Sequence, residues 1–255
     1  TGAVAWENIG GIERGLDGYV IHATSDPYDY RRRYVLTSTG LYKCDDIWAA
    51  SPTWTQVADN ETIYGGISAG IGSSVRMSIN RKGYIAISGG RDRYCYSFDY
   101  GATWQQSVVR DTGDDHLDGR HMHNMKIALS PHNNGDDGHV YASVSDLIGP
   151  LDITAHVYKS TDWGQTWSLL WSQSQGGRNA SYVPHVPYQK ADGSLNLNGP
   201  NQLVYFAQSQ GQFTPSIELV RSTDGGISRT QVWGPLPDNW GYGANSPSGI
   251  TSHTY

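Results

Sequence analysis

The residues best equipped for chemistry lie in one run, Arg110-Asp111-Thr112-Gly113-Asp114-Asp115-His116-Leu117-Asp118-Gly119-Arg120-His121-Met122-His123. Carboxylates beside imidazoles can hold a divalent cation or share acid–base work. The spacing matches neither an EF-hand calcium loop nor a His-Glu-x-x-His zinc site. The run therefore reads as a solvated loop with internal ion pairs, with no metal and no cofactor. Asp114, His116, Arg120 and His121 remain its candidates for contacting a ligand. Arg91, Asp92 and Arg93 form a second charged group, and Trp240 and Tyr242 are flat rings set among glycines and polar residues. Such rings stack on the apolar faces of sugars while polar neighbours orient the hydroxyls. No residue is assigned a catalytic role from these patterns.

The elements that must position these groups announce themselves by repetition. Ser97-Phe98-Asp99-Tyr100-Gly101-Ala102-Thr103-Trp104 is echoed by Ser160-Thr161-Asp162-Trp163-Gly164-Gln165-Thr166-Trp167 and by Ser222-Thr223-Asp224-Gly225-Gly226-Ile227-Ser228-Arg229. The three aspartates stand 63 and 62 residues apart, a fixed period that marks a repeat architecture. Serine and aspartate side chains bond nearby backbone N–H groups and fix a turn, and glycine supplies angles other residues adopt only at a cost. Asp99, Asp162 and Asp224 thus read as turn-formers rather than catalytic carboxylates.

Runs of β-branched and aromatic residues flank each turn and divide into groups of four. The groups span residues 18–58, 74–108, 123–171 and 182–234. The first is degenerate: its turn region, Cys44 to Trp54, carries an insertion and lacks the glycine. Residues 5–9 read as an outermost strand and residues 248–255 as an innermost one. No segment reads as a helix, and 59–74 and 111–123 read as loops.

The pattern Ser-x-Asp-x-Gly-x-Thr-Trp resembles the Asp-box, or BNR repeat, of sialidase-like β-propellers. The resemblance implies an all-β fold of four-stranded antiparallel blades, four of them plus a partial terminal blade, forming one domain over residues 1–255 and part of a larger ring. It implies that Trp104 and Trp167 wedge between sheets, and that ligands meet the face opposite the Asp-box turns. That face would carry 59–74, 89–93, 110–124, 146–155, 172–181, 209–216 and 234–247. An open ring leaves sheet edges to cover, so a missing segment or another chain is expected to complete it.

Composition narrows the field. Glycine supplies 31 of 255 residues, hydrophobic residues 37%, and the aromatics are 17 Tyr and 9 Trp against 3 Phe. That balance suits many short strands with amphipathic rings at half-exposed positions. A net charge of −6 without a basic stripe argues against a nucleic-acid surface. Arg31-Arg32-Arg33 reads as a solvated strand edge or loop. No apolar run is long enough for a membrane helix. The two cysteines, Cys44 and Cys95, leave the redox compartment open.

The family's activities diverge. The Arg-Ile-Pro motif of sialidases is absent. Trp6-Glu7-Asn8-Ile9-Gly10-Gly11 and Tyr34-Val35-Leu36-Thr37-Ser38-Thr39-Gly40-Leu41-Tyr42-Lys43 resemble the start of xyloglucanase-type propellers, where an aspartate of the second segment is a catalytic carboxylate. Ser38 takes its place here, and glycoside hydrolysis needs two carboxyl groups. The expectation is a secreted or surface-exposed, non-catalytic module that binds a glycan or a protein. The alternative is a glycoside hydrolase whose carboxylates lie elsewhere.

Overall fold

The computed structural model describes residues 15–64, 77–81, 83–88, 93–109, 125–132, 138–147, 152–176, 181–209 and 217–233. Among them are sixteen strands and one short helix. The strands form four sheets of four, each in chain order. The first holds β1 (Val20–Asp26), β2 (Asp29–Thr37), β3 (Gly40–Cys44) and β4 (Thr55–Asp59), and the second β5 (Met77–Arg81), β6 (Tyr84–Ser88), β7 (Arg93–Ser97) and β8 (Gln105–Val108). The third holds β9 (Lys126–Leu129), β10 (Val140–Leu147), β11 (Asp152–Ser160) and β12 (Ser168–Gly176). The fourth holds β13 (Ser181–His185), β14 (Val204–Ser209), β15 (Ile217–Ser222) and β16 (Thr230–Trp233). Each strand pairs antiparallel with its chain neighbour, as in β1–β2, β10–β11 and β14–β15. Four antiparallel four-stranded sheets are the arrangement the repeat predicts.

The three repeat turns close identically. Ser97 Oγ donates to Asp99 Oδ1 (2.8 Å) and accepts the Gly101 N–H (2.8 Å). Asp99 in turn accepts the Thr103 N–H (2.8 Å) and hydroxyl (2.7 Å). Ser160, Asp162, Gly164 and Thr166 repeat this at 2.6–2.9 Å. Ser222, Asp224, Gly226 and Ser228 do so again, the Ser228 N–H reaching both carboxylate oxygens of Asp224 (2.8 and 3.0 Å). The aspartate therefore spans four residues rather than two. Tyr100, Trp163 and Gly225 all adopt the left-handed conformation before the glycine of each repeat (φ 60°, 65° and 71°). At Gly164 (φ 90°) an added Cβ would sit 2.1 Å from the Tyr94 ring, so both conformation and space demand glycine.

The chain's contacts divide it into two compact units, Thr1–Gly90 with Cys95–Gln105, and Arg91–Tyr94 with Gln106–Tyr255. In the first unit, Tyr34, Leu36, Leu41, Ile63, Met77, Ile85, Ile87 and Cys95 make a buried core. All five residues of β6 are buried, as a strand covered on both faces must be. Trp104 packs on this core and donates its Nε1–H to Val57 O of the neighbouring sheet (2.8 Å). Cys44 and Cys95 are buried free thiols.

In the second unit, Tyr141, Val157, Tyr182, Val204, Phe206 and Val220 form the core. Trp171 meets Tyr182 edge-on, with centroids 4.8 Å apart. Trp167 likewise meets Tyr94 at 5.2 Å and donates its Nε1–H to Ser107 Oγ (3.0 Å). Both repeat tryptophans thus wedge between sheets. A buried polar network joins the third and fourth sheets. Gln202 Oε1 accepts the Tyr141 hydroxyl (2.8 Å) and lies 2.8 Å from His139 Nδ1, while Gln202 Nε2 donates to Ser130 Oγ (2.8 Å). A satisfied network of this kind rigidifies a core, whereas a half-satisfied one would weaken it.

The elements depart from the sequence reading in four places. A helix, α1 (Asn60–Tyr64), occupies the start of the expected 59–74 loop. Asp59 caps it by accepting the Thr62 N–H (2.8 Å) and hydroxyl (2.6 Å), and Ile63 anchors it in the core. Strands β10 and β11 run on to Leu147 and from Asp152, and β12 to Gly176, through the expected 146–155 and 172–181 loops, because hairpin pairing overrides the polar composition. Trp104 and Trp167 precede β8 and β12 by one residue rather than opening them. Arg31–Arg33 lie inside β2, where Arg31 pairs with Asp46 and Arg32 with Asp26. Residues 5–9 and 248–255 lie outside the described residues. No helix among the described residues is long and apolar enough to cross a membrane.

Candidate functional site

The β2–β3 turn, Ser38-Thr39, lies at the end of the first sheet where β1 begins and β4 ends, since Val20 pairs with Thr37 and Gly40 with Asp59. Ser38 is not poised to act as a base. Its hydroxyl accepts the Tyr19 N–H (3.2 Å), and its own N–H donates to Tyr19 O (3.0 Å). The hydroxyl thus completes the turn.

Asp17 nevertheless reaches this turn through its main chain. The Thr39 hydroxyl donates to the Asp17 carbonyl (2.9 Å) and lies 3.0 Å from the Tyr42 hydroxyl. Gly18 (φ 83°) runs over these groups so closely that a Cβ there would lie 2.7 Å from Ser38 Oγ and 3.0 Å from Thr39 Oγ1. The glycine lets the chain descend onto the turn and holds exposed Asp17 beside it. Asp17 Oδ1 accepts the Gly18 N–H (2.8 Å). Gln56 Nε2 donates to Thr39 O (2.9 Å) and fixes the turn from the β4 side.

Two further carboxylates, Asp59 and Glu61, sit at this end. Asp59 is committed to α1, and the Thr62 hydroxyl and N–H hold its carboxyl below the usual carboxylate range. Asp17 and Glu61 are thus the exposed carboxylates at this end of the blade, and the Asp17 main chain is bonded to the Thr39 hydroxyl. A carboxylate flanked by hydroxyls can orient the hydroxyl groups of a sugar or take a proton from water.

Of the ligand-face residues expected from sequence, Arg93 is the first residue of β7 and half-buried. Arg91, Asp92, Asp114, His116, Arg120, His121, Trp240 and Tyr242 lie outside the described residues. Among the described residues no group of three or more His, Cys, Asp or Glu side chains is placed to hold a metal ion. Asp99, Asp162 and Asp224 sit in their turns as expected. At Asp99 and Asp162 burial works against the charged form, yet the threonine and serine donors outweigh it and hold the carboxyl below its ordinary range. At Asp224 the Ser228 donors lead. Sequence reading passed over Asp17. The dipeptide Asp17-Gly18 before a strand was visible, but its pairing with the Thr37–Thr39 turn follows only from the β1–β2 register.

No family model matches the chain. A xyloglucanase from Paenibacillus sp. is 24% identical over 265 residues, which cover 95% of this chain and 24% of that protein. The crystal structure of a GH74 enzyme from Niastella koreensis matches 83% of this chain and 30% of its own, with a TM-score of 0.53 and 17% identity. The fold is that of a β-propeller. Its four sheets are blades, and the Asp17–Ser38 site lies at one end of the first. An ancestral GH74 enzyme aligns over 88% of the chain and 35% of its own, with 14% identity and a TM-score of 0.41. The chain thus spans about a quarter of the length of the curated relative it matches.

Proposed function

We propose that this chain is a segment of a secreted glycoside hydrolase of the xyloglucanase type, built on an Asp-box propeller. The observation that carries this reading is the similarity to the Paenibacillus xyloglucanase along 95% of the chain. It weighs towards the hydrolase and away from the non-catalytic module. In this reading the first blade's Asp17 end meets the glycan. Asp17 takes a proton from the attacking water, and a second carboxyl group elsewhere in the longer protein protonates the leaving oxygen, as the two-carboxylate mechanism requires. The segments that hold Arg91, Asp92, Asp114, His116, Arg120, His121, Trp240 and Tyr242, together with Arg93, are assigned to the same ligand face. The remaining blades come from the rest of the longer protein or from a second chain.

Incubating the full-length protein with soluble xyloglucan tests the reading. New reducing ends above a protein-free control are expected. Binding without any release would favour the non-catalytic module, which one observation supports: the Ser38 hydroxyl is committed to the backbone of Tyr19.

A further inference from the structure

We infer that the opposite end of the first blade carries a second, non-catalytic carbohydrate-binding platform, formed by Tyr30, Arg31, Asp46 and Trp48 and fitted to a neutral glycan chain. The first blade departs from the repeat at two places, and both build this surface. One is β2. Asp26 pairs with Asp29, but Ser25 pairs with Arg33, so Tyr30, Arg31 and Arg32 bulge out of the β1–β2 ladder. The other is the connection from Asp45 to Trp54, which stands where the other blades place their Ser-x-Asp-x-Gly turn. The two departures touch, since the Ile47 N–H donates to Arg31 O (3.0 Å).

A bulge re-aims side chains, and this one breaks the alternation of β2. Tyr30 and Arg31 are consecutive, yet both face solvent, while Arg32 turns inward to buried Asp26 (3.0 Å). Tyr30 is 68% exposed and Trp48 is 69% exposed, two of the most open large rings among the described residues. Arg31 ties them together. Its guanidinium lies 5.9 Å from the Tyr30 ring centroid and 3.7 Å from the Asp46 carboxylate, and Asp46 also accepts the Trp48 N–H (3.0 Å). The platform is not a loose loop. Ile47 packs into a cluster of Val35, Tyr42, Cys44 and Trp54 beneath it.

The chemistry selects the occupant. Exposed rings beside charged hydrogen-bonding groups match a pyranose, whose apolar face stacks while its hydroxyls meet the guanidinium and carboxylate. The charges balance, Arg31 against Asp46, so the surface attracts neither a polyanion nor a polycation. A protein-docking centre also gathers Tyr, Trp and Arg but is depleted of Asp, so the Asp46 carboxylate beside the rings favours the glycan. Because this end lies opposite the Ser38 turn, occupancy here leaves the Asp17 site open, and the inference stands whether or not the chain hydrolyses glycosides.

Native electrophoresis of the full-length protein through gels containing hydroxyethyl cellulose, a soluble neutral β-glucan, tests it. The expected result is retardation that falls at least fivefold in Tyr30→Ala/Trp48→Ala and is kept in Trp48→Phe. Equal retardation of the double variant and the parent overturns the platform, as does a parent that migrates freely. Loss of retardation in Trp48→Phe as well would assign the effect to folding and also overturn it. Sedimentation of the parent as a dimer that Tyr30→Ala/Trp48→Ala dissolves would make the surface a self-contact instead.

Discussion

At the residue scale, the aspartates of the three repeat turns earn their place by hydrogen bonding alone. Each carboxyl is held below its ordinary range, so its stabilising effect is complete above the unfolded value near pH 4 and is lost as pH falls through the lower folded value. Urea midpoints taken from pH 7 to pH 3 are expected to hold steady until about pH 4 and then fall. Asp162→Asn should lower the midpoint at pH 7 and flatten that acid limb. Arg32 plays the corresponding part in the first blade, which lacks such a turn. Its guanidinium pairs with Asp26 (3.0 Å), Asp45 (3.0 Å) and Asp29 (3.5 Å) and lies 4.4 Å from the Tyr100 ring centroid. Burial opposes its charge, but the bonds to Asp45 and Asp26 prevail and raise its pKa. Arg32→Ala leaves the buried Asp26 carboxylate without its partner and should cost about 2–4 kcal/mol, because breaking a buried pair strands a charge. Chemical denaturation of the variant checks this, and Arg32→Lys should recover only part of the loss.

At the element scale, the blade is the unit that sequence made visible. Two intact repeats, Ser97–Trp104 and Ser160–Trp167, mark turns that lie between the third and fourth strands of their sheets. The misreadings share a physical cause. Arg31–Arg33 read as a strand edge or loop from their charge, and 146–155 and 172–181 as loops from their place between strands. Hairpin pairing, Asp26 with Asp29, Leu147 with Ile153 and Ile153 with Gln175, makes them strands. Helix α1 was missed because its five residues carry no periodicity, only the Asp59 cap. The wedge at Trp167 offers a test at this scale. The ring is half-buried against Tyr94, so Trp167→Ala should cost about 2–3 kcal/mol, below the range for a fully buried tryptophan. Gly164→Ala should be at least as damaging, because its Cβ collides with the same tyrosine in a left-handed backbone. Thermal unfolding of both variants would settle the ranking.

At the scale of the whole molecule, the fold was legible from period and turn chemistry, whereas the site was only half so. Ser38 in place of an aspartate pointed away from hydrolysis. Asp17 could be set beside it only once β1 was registered against β2, with Val20 opposite Thr37. The proposal of a hydrolase rests on similarity to a xyloglucanase along 95% of the chain, and it assigns the base to Asp17 at a neighbouring strand end. That compensation is the central claim, and kinetics on the full-length protein with xyloglucan test it most directly. Asp17→Asn should lower kcat by about 100-fold or more, the usual contribution of a general base, while KM moves little. Ser38→Ala, which loses only a turn hydrogen bond, should change kcat by less than about threefold. An Asp17→Asn protein that turns over xyloglucan at the parent rate would contradict the claim.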